Sequence, residues 1–454
     1  MRAPCIFPVA RLTALLVLIV ASLSATAQGP KPPAAPVDGA DVSTPAPLPE
    51  QARTPANYSL TLQQLFDAAL ASHPSLQAAR LQARASAQDV TATERQRWPT
   101  ISVIAETDTG TTASSASRAL RVEQTLWDAG RNTSRIDEAQ TRVRIARAQV
   151  YLQQQELFIQ IINAWQNLVG ATERRNAAVS TLERLKAYQQ QMERRVAAQA
   201  SPRIDLELAD ARVLQTEVEL TTANTSLQVA TTRLEQLTSL TGLSTRLAHL
   251  PPVPAAEGTQ TFLRVLQETD WPLIASLSAV VDKARMERQL ISNQLTTKQA
   301  EQWPQVYLRW DKPLETTQTN SVTQPSIFAG LRYTPGAGFA SLAEAASIAT
   351  RMESQDYAVE AALRDVQQTL QSDMEEFINA RSRMQALERS VDGSRLVLDS
   401  YVRQFQAGRK SWQDLLNSAR DLAQNQYSLA DARASLVGAL HRLQLRMDRS
   451  PELP

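Results

Sequence analysis

The sequence predicts a mainly α-helical protein with a small β part, built twice from one unit of helix, strand pair, long helix, turn and helix. Three observations predict it. Apolar residues recur at helical spacing over most of the chain. Two short islands, Trp98 to Gly130 and Trp303 to Gly338, instead alternate apolar and polar residues as strands do. The islands lie roughly 205 residues apart inside a repeat that covers both halves.

Composition agrees. Only 13 glycines and 5% aromatic residues in 454, with abundant Ala, Gln, Leu and Arg, suit extended helix. The net charge is +1, and no basic run exceeds a couple of residues. This argues against nucleic acid as a partner, because neutralising phosphates needs a basic excess on some face.

Residues 1–27 read as a signal peptide: Arg2 and Arg11, an apolar run from Leu12 to Ala21, then the small residues Ala25-Thr26-Ala27, with cleavage before Gln28. An uncleaved anchor is the alternative, for which the apolar run is short. The only cysteine, Cys5, would leave with the peptide, so no disulfide, thiol chemistry or cysteine metal site is expected in the mature chain. Residues 28–57 hold eight prolines in thirty positions and read as an extended tether.

The first repeat is expected over 58–250. Helical periodicity begins at Leu60, with Leu62, Leu65, Phe66, Ala69 and Leu70 on one face, and breaks at His73-Pro74. It resumes to Arg97 and stops at Trp98-Pro99, as helices do before proline. Strands follow at about 100–109 and 117–127. Beyond Gly130, the positions Ile136, Ala139, Val143, Ala146, Val150, Gln153, Leu157, Ile161, Ala164 and Leu168 are spaced 3-4-3-4 with one polar member, a heptad seam. Helix to about Ala200 would make a rod on the order of 100 Å. Ala200-Ser201-Pro202-Arg203 is a turn, and a return helix carries Leu206, Leu220, Leu227 and Leu234. Residues 251–269, opening on Pro251-Pro252-Val253-Pro254, read as a linker.

The second repeat is expected over 270–447, with strands at about 305–311 and 326–334. Trp271-Pro272 answers His73-Pro74, Trp303-Pro304 answers Trp98-Pro99, and Gln406-Ala407-Gly408 answers Gln199-Ala200-Ser201. Leu429, Leu436 and Leu443 answer Leu220, Leu227 and Leu234 at a constant offset of 209. The helix before the second island reads as one heptad longer than its counterpart. A tail, 448–454, follows.

The strands carry the functional argument. Each spans about ten residues, enough for a tilted strand to cross a bilayer. Ile101, Val103 and Ala105 oppose Ser102, Glu106 and Asp108, while Val306, Leu308 and Trp310 oppose Tyr307, Arg309 and Asp311, as lipid outside and a wet lumen inside require. Four strands cannot close a barrel and open edges are forbidden in lipid, so several copies would share one. Thr109–Ser117 and Lys312–Gln324 would be external loops. The alternative is a pair of solvent-exposed hairpins on a soluble periplasmic coiled-coil scaffold or adaptor.

Catalytic signals are absent. His73, His249 and His441 lie far apart in sequence with no ligand spacing, and there is no P-loop, nucleophile elbow or HExxH. No enzyme activity, metal or other cofactor is expected.

The double repeat, the Pro74 and Pro99 helix markers, Gln124-Thr125-Leu126-Trp127-Asp128-Ala129-Gly130 and the turn Phe405-Gln406-Ala407-Gly408-Arg409-Lys410 resemble the TolC family of outer-membrane channels over roughly Ser59 to Arg446. The resemblance implies a homotrimer in a Gram-negative outer membrane, with a shared 12-stranded transmembrane β-barrel and an α-helical periplasmic tunnel. It also implies docking to a periplasmic adaptor and an inner-membrane transporter. Tyr401 to Leu416 looks most like the branch exporting large adhesins by type I secretion, which implies a transporter of ABC type; multidrug efflux is the alternative. By position, Lys410 corresponds to a basic gate residue and Asp414 to an acidic ring member at the periplasmic pore constriction, with Asp205 equivalent in the first repeat. Ser201, Pro202, Arg203, Gly408 and Arg409 form the adaptor-docking turns. Asn417 stands where some relatives carry a second aspartate, so a doubled acidic ring is not implied.

Overall fold

A computed structural model describes residues 61–108, 115–246, 258–316, 324–334 and 336–447. The signal peptide, the tether, the two loop tips, the Pro251–Pro254 run and the tail lie outside the described residues. The chain divides into units 1–57 and 58–454, and the described residues belong to the second.

In order, the elements are α1 (Leu62–Ser72), α2 (Pro74–Arg95), β1 (Thr100–Asp108), β2 (Ser115–Trp127), α3 (Arg131–Ala197), α4 (Arg203–Thr238) and α5 (Leu243–Arg246). The second copy has α6 (Gln260–Glu268), α7 (Trp271–Ser276), α8 (Ala279–Ala300), β3 (Gln305–Thr316), β4 (Ser326–Arg332), a 3-10 turn (Ala337–Phe339), α9 (Ala340–Gln406) and α10 (Trp412–Met447). Helices α3 and α9 have 67 residues each, α4 and α10 have 36 each, and each pair starts 209 positions apart.

Local chemistry places the ends. Thr61 and Gln64 form a reciprocal capping box that opens α1. His73 is extended, and Pro74 then starts α2, where its missing N–H costs nothing. The long helices pack through heptad seams. On α4 the buried Ala209, Val213, Thr216, Ala223, Ala230, Leu234 and Leu237 mark the seam, the half-buried Leu220 and Leu227 complete its 4-3 rhythm, and Thr231 and Thr238 are buried beside it. Phe377, Met384, Val391, Leu398 and Phe405 recur every seventh residue along α9, in one cluster with Leu415, Leu422, Leu429, Leu436 and Leu443 of α10. A second cluster joins Leu65 and Ala69 of α1 to Leu157, Ile161 and Leu168 of α3 and Leu234 of α4. Phe66 stacks on Phe158 with centroids 4.2 Å apart.

The two islands meet. The four strands form one antiparallel sheet in chain order, β1-β2-β3-β4, and β2 pairs with β3 across the repeats.

Four expectations differ from the structure. Strand β3 runs on to Thr316, through a stretch expected as loop from Lys312, and β2 begins at Ser115. Pro313 cannot donate to a ladder, but it pairs with Ala119 beside a register shift, where pairing is irregular. Gln260–Glu268, inside the stretch read as a linker, is helical because Leu266 is buried and Phe262 packs edge-on to Phe377 at 5.3 Å. The helix before the second island is not a heptad longer: α2 and α8 both have 22 residues. The extra residues form α7, which Asp270 caps through Leu273 N–H, and Ser278 starts α8 anew through Val280 N–H. Finally, Gly408 answers Gln199 rather than Ser201, since the offset of 209 holds through both turns.

Candidate functional site

Two regions concentrate unusual chemistry: the sheet and the opposite tips of the long helices.

Register sorts the sheet residues by face. Ile101 pairs with Val122 and Val103 with Leu120, while Trp310 pairs with both Val122 and Ile327. On the edge strands this face is bare: Ile101, Val103, Ile327 and Leu331 are 65–69% exposed. The other face is ionic. Arg121 Nε lies 2.9 Å from Asp311, Arg309 Nε lies 3.1 Å from the same carboxylate, and Arg332 lies 2.9 Å from Glu123. Arg332 also covers the Tyr307 ring at 4.7 Å. That ring lies over Gly330, where a Cβ would come within 2.5 Å of it, so any larger residue would have to push the Tyr307 ring aside. At the strand–helix junctions Trp98, Trp127, Trp303 and Phe339 are all 49–70% exposed.

At the other end, α3 and α9 close with the same Schellman geometry. Ala200 N–H bonds to Arg195 O and Arg409 N–H to Gln404 O, both at 2.8 Å. The motif needs a left-handed residue, supplied by Gly408 (φ 72°) in one copy and by Gln199 (φ 57°) in the other. Asp205 and Asp414 then occupy the same position in the first turns of α4 and α10, 209 residues apart.

Their surroundings differ. Ser411 and Asp414 form a capping box, with Asp414 N–H donating to Ser411 Oγ (3.1 Å) and Ser411 N–H to the Asp414 carboxylate (3.4 Å). Lys410 Nζ lies 3.9 Å from that carboxylate and 4.5 Å from the Tyr401 centroid. The Ser411 bonds, with Lys410 adding to them, hold the half-exposed Asp414 carboxyl below its ordinary pKa. The α4 turn starts at Pro202 without a side-chain cap. Ser201 Oγ accepts from Arg195 at 3.3 Å, and Arg203 lies 3.5 Å from Glu207. Arg409 contributes its backbone to the turn.

What joins the two tips is Trp412, to which the sequence reading gave no role. It is 4% exposed, and its indole N–H donates to the Asp205 carbonyl at 2.8 Å. Its ring packs against Tyr188 of α3 and Phe405 of α9, with centroids 6.2 and 5.2 Å away. Burial raises the Tyr188 pKa above its usual value. A lone tryptophan in a polar turn is a weak sequence signal, because only the packing reveals which chain segment it reaches.

Among the described residues, no helix is long and apolar enough to cross a membrane, and no group of three His, Cys, Asp or Glu is placed to hold a metal ion.

Residues 65–240 match the family model for outer membrane efflux proteins. No curated protein matches significantly. Among solved structures, a membrane protein from Pseudomonas aeruginosa superposes with a TM-score of 0.73 at 18% identity, over 85% of this chain and 89% of that one. The outer membrane protein VceC of Vibrio cholerae gives 0.68 at 16% identity, over 84% and 95%. The open state of the MtrE outer membrane channel of Neisseria gonorrhoeae gives 0.68 at 17%, over 85% and 88%. The chain shares its fold with these proteins.

Proposed function

We propose that the chain is a TolC-like outer-membrane channel: a passive conduit that three copies assemble, with a shared barrel in the membrane and a helical tunnel in the periplasm. The observation that carries this reading is the four-stranded sheet, bare and apolar on one face and ionic on the other, whose β1 and β4 edges need partners in lipid. The family-model match and the likeness to outer-membrane channels support it.

In this reading the tips form the periplasmic entrance. Three-fold symmetry turns Asp205, Asp414 and Lys410 into charged rings, which focus field in a narrow pore. Ser201, Pro202, Arg203, Gly408 and Arg409 present the surface that docks a periplasmic adaptor, linked to an inner-membrane transporter that supplies the energy. The Tyr401–Leu416 segment favours type I secretion of a large protein through an ABC-type transporter, and the efflux family model favours small-molecule extrusion as the second reading.

Planar-bilayer recording tests the proposal. The purified chain should conduct as a trimer, and Asp414→Ala should reduce cation selectivity. A detergent-free soluble monomer without conductance refutes the channel. Unchanged selectivity in the variant removes Asp414 from the constriction.

A further inference from the structure

The strand–helix junctions of the two copies share a backbone and differ in one anion. Ala129 and Gly130 lead into α3 with φ of 54° and 86°, and Gly338 and Phe339, 209 residues on, lead into α9 with φ of 60° each. In the first copy the Asp128 carboxylate covers the start of the helix, accepting from the N–H groups of Gly130 (3.1 Å) and Asn132 (2.9 Å). The offset carries Asp128 to Ala337. Helix α9, 67 residues long, accordingly starts without a side-chain cap and without an acidic residue in its first turn. The positive end of its dipole lacks the counter-charge that α3 has built in.

Open space lies where that counter-charge is missing. A cavity of about 260 Å³ is lined by Arg131, Gly336 and Ser341, with Glu301 and Glu344 also facing it. Gly336 leaves the start of α9 uncovered: a Cβ there would lie 3.8 Å from the Ala340 nitrogen and 3.9 Å from that of Ser341. Two donors at the cavity have no partner among the described residues. Ser341 is 7% exposed and its hydroxyl makes no hydrogen bond. Arg131 Nε is buried and unbonded, and its guanidinium forms no ion pair. Buried donors without acceptors cost free energy that a ligand bringing acceptors recovers. The two carboxylates are already taken up: Lys298 Nζ lies 3.0 Å from Glu301 and 2.8 Å from Glu344, and Arg135 lies 3.5 Å from Glu301. Three cations thus face two carboxylates, and Arg131 is the one left over.

We propose that this cavity binds a phosphate group, which takes at α9 the place that the Asp128 carboxylate takes at α3. Arg131 supplies the charge, Ser341 Oγ donates a hydrogen bond, and the first N–H groups of α9 complete the cradle. A tetrahedral phosphate has enough acceptor oxygens to engage all three at once. The group comes from a phospholipid head at the strand–helix junction or from free phosphate. Only the lipid source rests on the channel reading.

Equilibrium dialysis of the detergent-solubilised full chain against labelled inorganic phosphate tests the site. The wild type should bind saturably, and Arg131→Gln should weaken binding about tenfold or more. Ala337→Asp places the first copy's carboxylate in the cavity. It should abolish binding and raise the denaturation midpoint in phosphate-free buffer, which a merely misfolded variant would not do. Absence of saturable binding, or binding unchanged in both variants, overturns the site. Displacement of the label by dihexanoyl phosphatidylglycerol supports the lipid source, and a lipid that does not displace it refutes that source. Planar-bilayer conductance separates the two readings. A conducting trimer that binds no phosphate refutes the site and leaves the channel. Phosphate binding by a chain that does not conduct keeps the site and refutes the channel.

Discussion

At the residue scale, the two copies solve one backbone problem differently. The Schellman turn after each long helix needs a left-handed residue; Gly408 adopts that conformation freely, while Gln199 must hold φ 57° against its Cβ. Gln199→Gly should therefore stabilise the protein by about 1 kcal/mol, read as a higher denaturation midpoint. Gly408→Gln should move it in the opposite direction. No sequence pattern marks Gln199 as left-handed, because glutamine belongs equally well inside the helix it ends. Asp205 and Asp414 were legible as equivalents because their spacing is the repeat itself, whereas Trp412 was not, since its partners Tyr188 and the Asp205 carbonyl come from the other copy.

Elements were legible to the extent that period and length spoke together. A 3-4 seam held through more than four heptads leaves no alternative to α3, and Pro74 and Pro99 bound the helix before it. Helix α6 escaped notice because it has only nine residues and follows a proline-rich run. The end of β3 was obscured by Pro313, a residue that usually ends strands. The copies also differ in how they fill equivalent space between long helices. In the second, Asp373 is 8% exposed and pairs with Arg446; the first has Ala164 and Leu237 at those positions. Arg446→Leu alone strands a buried carboxylate whose next cation, Arg442, is 4.0 Å away, and should cost about 2 kcal/mol. Asp373→Ala with Arg446→Leu reproduces the first copy's apolar pair and should recover most of that loss, since such replacements are often close to neutral. Chemical denaturation of the single and double variants checks the difference.

For the whole molecule, the proposed membrane boundary lies at the strand–helix junctions. Trp98, Trp127 and Trp303 are exposed there, whereas Trp165 and Trp412 are 3% and 4% exposed within the helical body. Indole rings gather at the bilayer interface, where one side is apolar and the other wet. In vesicles carrying a quencher at headgroup depth, the full chain should lose a large part of its tryptophan emission. The variant with Trp98→Phe and Trp303→Phe should lose clearly less. Equal quenching of both proteins would place the boundary elsewhere.

The equal lengths of α3 and α9, and of α4 and α10, have a consequence for how this chain can change over time. The two copies share few of their side chains at matched positions, so drift in composition has been tolerated freely. Length has not. Ahead of the sheet, where α7 was accommodated, the copies have come out of step, but the long helices that run to the turns agree to the residue. Both helices are anchored at one end to the same sheet and finish at the other in tips that Trp412 ties together. A deletion in one copy would lift its tip about 1.5 Å per residue out of the plane of the other and rotate its seam. Any viable change in length must therefore occur in both copies and in whole heptads, which makes the rod a ruler that evolution can recolour but rarely recut.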